Sequence, residues 1–226
     1  DARQNAEKVV LRLSTGDRPP QMTMETVTGV VLAGGDSARF GTENKALATY
    51  EGEPLIERVV SSLAAVTDRP PLVVVRSRSQ RTSLQRPLST SAVEFVTDAD
   101  GYQGPIAGMA AAVSAASTPW VFAGGCDMPL LSADAVTWLG QFRDPDVDAV
   151  VVETDGGREP LHAFYRQSAV RQALSDVPAQ AGLQALLGEL DTVRTVPASR
   201  ASADVAIAAS LANVNTKREL AALPDD

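Results

Sequence analysis

Apolar residues follow two patterns along this chain. Short runs rich in apolar residues at 27–33, 72–75, 93–97, 120–125, 149–153, 162–165 and 193–197 predict strands. Stretches with helical spacing alternate with them and predict helices at 54–65, 106–116, 169–174, 183–190 and 217–223, and another from just past Ser132 to about Phe142. Pro54 fits a first helical turn, and the small residues of 106–116 suit close packing on a sheet. Residues 76–91 are polar and arginine-rich and carry little core signal. Strands alternating with helices predict an α/β fold of three layers, with helices on both faces of a mostly parallel central sheet. In such sheets ligands bind beyond the carboxyl ends of the strands. One domain over 27–226 with an insertion around 145–200 accounts for the pattern, and 1–26 reads as a disordered N-terminal extension.

The punctuation falls at those strand ends. The first run closes in Leu32-Ala33-Gly34-Gly35, followed by Ser37, Arg39, Gly41 and Lys45. Glycines let backbone N–H groups approach a ligand closely, and Arg39 and Lys45 offset negative charge, so a polyphosphate is the fitting guest. The loop lacks the Gly-Lys-Ser/Thr of a Walker site and the Gly-x-Gly-x-x-Gly of a dinucleotide site. The fourth strand ends at Cys126-Asp127, which places a carboxylate where Mg²⁺ could be shared with substrate phosphates. Asp98 closes the third strand, and Gly104-Pro105 turns into a helix in which Gly108 permits close approach, as the wall of a nucleoside pocket would. His162 is the only histidine and reads as a strand residue with a satisfied ring, so nucleophile–histidine systems and zinc spacings find no support. Cys126 reads as a small buried residue. Asn213 and Asn215 fit caps of the last helix, and Asn215 could alternatively reach metal or substrate.

Composition narrows the partners. A net charge of −8 over 226 residues argues against nucleic acid, whose binding rests on neutralised phosphates. Only Lys8, Lys45 and Lys217 are lysines, a balance that suits an ordinary acidic cytosolic protein or one adapted to concentrated salt. No apolar run approaches membrane-spanning length, and 1–26 lacks the apolar centre of a signal peptide. The single cysteine, Cys126, excludes an internal disulfide and fits a reducing, cytoplasmic setting.

These parts suit nucleotidyl transfer. An attacking phosphomonoester is mostly dianionic at neutral pH, so the chemistry needs alignment and charge neutralisation rather than a histidine base.

The chain resembles the molybdenum cofactor guanylyltransferase family. The likeness rests on residues 28–35, on Ser37-x-Arg39-Phe40-Gly41 with Lys45, and on Gly104-Pro105-x-x-Gly108-Met109. Further matches are Cys126-Asp127-Met128-Pro129, Glu159-Pro160-Leu161-His162-Ala163-x-Tyr165 and Asn213-Val214-Asn215-Thr216. The resemblance implies a Rossmann-like nucleotidyltransferase fold. It implies Mg²⁺ dependence and transfer of GMP from GTP to molybdenum-bound molybdopterin, with release of pyrophosphate and with molybdoenzyme maturation proteins as partners. It further implies that Leu32, Ala33 and Gly34 contact base and ribose, Lys45 the phosphates, Asp98 the nucleoside, and Asp127 both metal and nucleotide. Gly34 stands where cytidylyl enzymes of this kind tend to carry alanine, leaving room for a purine edge. Arg76 stands where some family members carry an asparagine of the nucleotide pocket. Alternatives are a phospholactate or corrinoid guanylyltransferase, a molybdopterin cytidylyltransferase, and a non-catalytic nucleotide-binding module.

Overall fold

The computed structural model describes residues 8–12, 27–35, 40, 44–67 and 69–224. Its strands are β1 (Val9–Arg12), β2 (Val27–Leu32), β3 (Thr49–Tyr50), β4 (Glu53–Pro54), β5 (Leu72–Val75), β6 (Glu94–Thr97), β7 (Trp120–Gly125), β8 (Ala149–Thr154), β9 (Gly157–Arg166) and β10 (Thr192–Pro197). The helices are α1 (Leu55–Ala64), α2 (Arg78–Gln85), α3 (Pro105–Ala115), α4 (Ala133–Gly140), α5 (Gln167–Ala173), α6 (Leu183–Glu189), α7 (Ile207–Ser210) and α8 (Lys217–Leu220). Eight strands form one sheet in the order β1-β10-β8-β9-β7-β2-β5-β6, and β3 pairs with β4 in a small hairpin. Every pairing in the large sheet is parallel except those of β9, which runs antiparallel to both β7 and β8.

Alternation along the buried strands divides the core in two. Val27 and Val31 of β2 and Val73 and Val75 of β5 meet α1 and α4 on one face. Val30, Leu72 and Val74 meet α3, α5 and α6 on the other. Gly104, at φ 66°, makes the turn that Pro105 then extends into α3. Ser132 caps α4 by accepting from the Ala135 N–H.

The fold departs from the sequence pattern in three places. Residues 78–85 form α2, capped by Ser77 and anchored by the buried Leu84, within a stretch that shows little apolar periodicity. Val9–Arg12 adds β1 to the sheet edge beside β10, inside the extension read as disordered. The rest of that extension, 1–7 and 13–26, lies outside the described residues. The stretch 145–200, read as an insertion, instead continues the central sheet with β8, β9 and β10.

β9 also carries an irregularity that shapes the site. Val151 opposes Ala163 but Val152 opposes Glu159, so residues 160–162 bulge from the ladder. The Tyr165 hydroxyl donates to the Pro160 carbonyl at 2.7 Å and holds the bulge. His162, fully buried, ends the β7 pairing opposite Gly124. Its Nε2 lies 2.9 Å from the Ser210 hydroxyl, which accepts from the Ser132 N–H at 3.0 Å. Its Nδ1 has no hydrogen-bond partner among the described residues, so the ring is satisfied on one side only.

Burial pushes His162 down from 6.5 to about 4. The native ring therefore stays neutral while the unfolded ring takes up a proton below about 6.5. The contribution of this ring to stability should be undiminished above pH 6.5, fall as pH drops from 6.5 toward 4, and level off below, for a total loss of about 3 kcal/mol. Urea unfolding at pH 7 and pH 4.5 should show this loss in the wild type and a smaller one in His162→Asn; equal losses would assign the acid sensitivity to other groups.

Candidate active site

The carboxyl ends of β2, β5, β6 and β7 lie side by side and deliver Ala33-Gly34-Gly35, Arg76, Asp98 and Cys126-Asp127 to one cleft. Its volume is about 410 Å³, in the range of small-ligand sites. Leu32, Val74 and Leu161 supply apolar walls, the last because the β9 bulge carries it there.

Each end of the cleft pairs one acid with one base. At the first end the glycine turn is braced from below. The Ala33 N–H donates to the Val74 carbonyl at 2.9 Å, and Gln80 Nε2 donates to the Ala33 carbonyl at 2.6 Å. Gln80 Oε1 accepts from the Arg76 N–H at 2.7 Å, so α2 fixes both strand ends. The Asp98 carboxylate lies over two glycines. A Cβ on Gly34 would sit 3.0 Å from its Oδ2, and one on Gly108 would sit 3.4 Å from its Oδ1 and 3.0 Å from Leu32 Cδ2. The missing methyl at Gly34 thus makes room first for Asp98, and only through it for a ligand. Burial pushes Asp98 above the usual carboxylate range, and the Arg76 charge draws it back.

At the second end Lys45 opens a single 3₁₀ turn, Lys45–Leu47, capped by Asn44. Its Nζ donates to Asp127 Oδ2 at 2.6 Å and to Asn215 Oδ1 at 2.9 Å. Asp127 depends on the residue before Cys126. A Cβ on Gly125 would fall 2.2 Å from Asp127 Oδ1, so only glycine admits this rotamer. Asn215 is held in turn: Glu219 Oε2 accepts from the Asn215 and Thr216 N–H groups at 2.6 and 3.0 Å, and the Thr216 hydroxyl accepts from the Glu219 N–H. This capping box starts α8, and its hydrogen bonds hold the Glu219 carboxyl below its usual range. The Val214 N–H donates to the Asp127 carbonyl at 2.8 Å, which ties the segment to the strand end.

Lys45 and Asp127 meet, and Leu32, Ala33, Gly34, Asp98 and Gly108 cluster toward the opposite end. Arg39 lies outside the described residues. The cap of α8 is Thr216, not Asn213 or Asn215, whose side chains accept from Lys45 (Asn215) and donate to the Leu211 carbonyl (Asn213). Cys126 is buried and its thiol is pushed up to about 12, which leaves it no nucleophilic role near neutral pH. Gln80 and Glu219 had no place in the sequence reading. Thr216-x-x-Glu219 was a visible capping signature, but nothing in the sequence says what it faces. Among the described residues no three acidic, histidine or cysteine side chains gather as a metal cage. A lone hard carboxylate fits a cation that keeps water and takes most of its ligands from substrate, as Mg²⁺ does.

A mostly parallel sheet with a glycine turn and a lysine–carboxylate pair at its carboxyl edge defines a nucleotide-dependent transferase. Comparison with known proteins agrees. Residues 29–193 match the family described as the MobA-like NTP transferase domain. A molybdenum cofactor guanylyltransferase of Desulfosudis oleivorans is 33% identical over 199 residues, covering 87% of this chain and 94% of the relative. One from Yersinia pestis is 38% identical over 147 residues, covering 65% and 71%. Among solved structures, molybdopterin-guanine dinucleotide biosynthesis protein A of Archaeoglobus fulgidus superposes with a TM-score of 0.71 at 25% identity, covering 86% of this chain and 95% of that one. The chain belongs to the MobA-like NTP transferase family.

Because the Gly125 position leaves no room for a methyl group, Gly125→Ala must turn the Asp127 carboxylate away from Lys45. Turnover should fall about a hundredfold while the circular dichroism spectrum stays wild-type. Unchanged turnover would mean that this rotamer is not the working one.

Proposed function

We propose that this chain transfers GMP from GTP to the terminal phosphate of molybdenum-bound molybdopterin, forming the guanine dinucleotide cofactor and pyrophosphate. The observation that carries the reading is the Lys45 Nζ–Asp127 Oδ2 contact of 2.6 Å at one end of a cleft whose other end is a glycine turn facing Asp98. The relatives' names supply the acceptor and the base.

The glycine turn and Asp98 take the nucleoside, and the triphosphate runs toward Lys45 and Asp127. Lys45 neutralises phosphate charge, and Arg39, by its place in the sequence between Gly35 and Lys45, adds to it. Asp127 is the residue that would hold Mg²⁺, which supplies charge neutralisation at the phosphates when bound. The acceptor phosphate is already deprotonated and needs no base. One of its oxygens forms a bond to the α-phosphorus as the bond from that phosphorus to the bridging oxygen of pyrophosphate breaks. No proton has to move, in keeping with a site whose nearest histidine, His162, is buried and hydrogen-bonded to Ser210. Leu161, carried into the cleft wall by the β9 bulge, suits the acceptor side. A cytoplasmic setting suits a reaction on GTP and belongs to this reading. Among the described residues no helix is long and apolar enough to cross a membrane.

The test is pyrophosphate release from GTP, Mg²⁺ and molybdenum-loaded molybdopterin, with CTP and with phospholactate as controls. Release should require GTP and molybdopterin together, and Asp127→Ala should lower it by about a hundred- to a thousandfold, the scale set by removing a main electrostatic stabiliser. Preference for CTP or for phospholactate would replace this reading with one of its neighbours, and nucleotide binding with no release at all would leave a non-catalytic module.

A further inference from the structure

We propose that Arg76 is the residue that selects guanine, donating its guanidinium fork to the O6 and N7 acceptors of the base while Asp98 accepts from N1–H and the 2-amino group. The inference rests on the guanine nucleotide reading above and says which side chain enforces it.

Three observations carry it. Arg76 stands at the carboxyl end of β5, exposed at the rim of the cleft, and it lines the end opposite Lys45. Its backbone is fixed there, since its N–H donates to Gln80 Oε1 and its nitrogen lies 3.6 Å from where a Gly34 Cβ would be. Asp98 faces the same space across Gly34 and Gly108, neither of which puts a side chain between acid and base. A flat ring that reaches the Asp98 carboxylate meets its acceptor pair there, and in the proposed pose the Arg76 fork meets the ring's adjacent edge. Guanine presents donors and acceptors in the complementary order. Adenine presents a 6-amino donor where guanine has O6 and an acceptor where guanine has N1–H, so it sets donor against donor and acceptor against acceptor. The Arg76 charge also partly offsets the upward push of burial on Asp98, which places the two groups close enough to interact.

A bidentate arginine–guanine contact changes affinity by about ten- to a hundredfold. Calorimetric titration of the full chain with GTP, 7-deaza-GTP and ATP, each with Mg²⁺, tests the assignment. In the wild type GTP should bind at least about tenfold tighter than ATP and severalfold tighter than 7-deaza-GTP, which lacks the N7 acceptor. Arg76→Ala should lose about ten- to a hundredfold for GTP, leave ATP unchanged and erase the difference between GTP and 7-deaza-GTP. Arg76→Lys, which keeps the charge without the fork, should recover little of the loss. Equal losses for GTP and ATP would overturn the proposal, because Arg76 would then act on the phosphates or on the fold. No loss for GTP would overturn it as well. A wild type that binds none of these nucleotides would instead remove the transferase reading on which the proposal stands.

Discussion

Lys45 ties together parts of the chain that are far apart in sequence. Its ammonium bridges Asp127 at the end of β7 and Asn215 near the C-terminus, and both it and Asp127 are partly withdrawn from water, with side-chain exposures of 12% and 22%. A half-buried pair of this kind contributes less through its mutual attraction than each member would lose if left alone. The consequence is geometric: neither side chain can leave the other without a replacement partner, and a triphosphate with its cation offers one to each. Around the pair the backbone is equally constrained. Gly125 leaves the space for the Asp127 rotamer, Val214 holds the Asp127 carbonyl, and Glu219 fixes the loop that presents Asn215. Phe40, Tyr50, Leu55 and the fully buried Val214 pack as a small separate cluster beneath this corner, with Leu220 and Leu223 against it. The C-terminal segment is therefore part of the site's foundation.

What could be read from the sequence was whatever punctuates an apolar run. Gly34-Gly35, Asp98 and Asp127 stand out because each follows the carboxyl end of a strand, and a parallel sheet aligns such ends at one edge. Gly104-Pro105 and Ser132 were legible for a similar local reason, since turn and cap chemistry depends on the residue itself. The helix α2 was not, because one buried leucine in eight residues gives no period; it forms on a serine cap and is kept by what Gln80 holds. The antiparallel course of β9 could not be read either, as periodicity says nothing of direction. Its bulge depends on a hydroxyl contact within the strand, between Tyr165 and Pro160, that no alternation pattern encodes. The partnership of Asn215 with Lys45 spans 170 positions and becomes visible only once the sheet has closed the distance.

Charge bears on the recognition proposed for the two ends of the cleft. The chain carries a net −8, and its substrate is read as a polyanion, so the long-range field opposes binding. At about 0.15 M salt that field decays over roughly 8 Å, and concentrated salt would shorten it further. Contacts at hydrogen-bond distance inside the cleft escape this screening. Among the described lining residues only Lys45 and Arg76 are cationic, and each faces an acid, Asp127 or Asp98. An acidic surface with two local cations cannot gather phosphates by attraction from afar as a basic groove does. It has to recognise the nucleotide after contact, and that demand favours paired donors and acceptors at fixed positions over loose positive charge. The short ion pair at one end and the glycine-lined carboxylate at the other meet it, and both depend on glycines, Gly125 and Gly34, whose absent side chains let an acid sit where a methyl group would otherwise be.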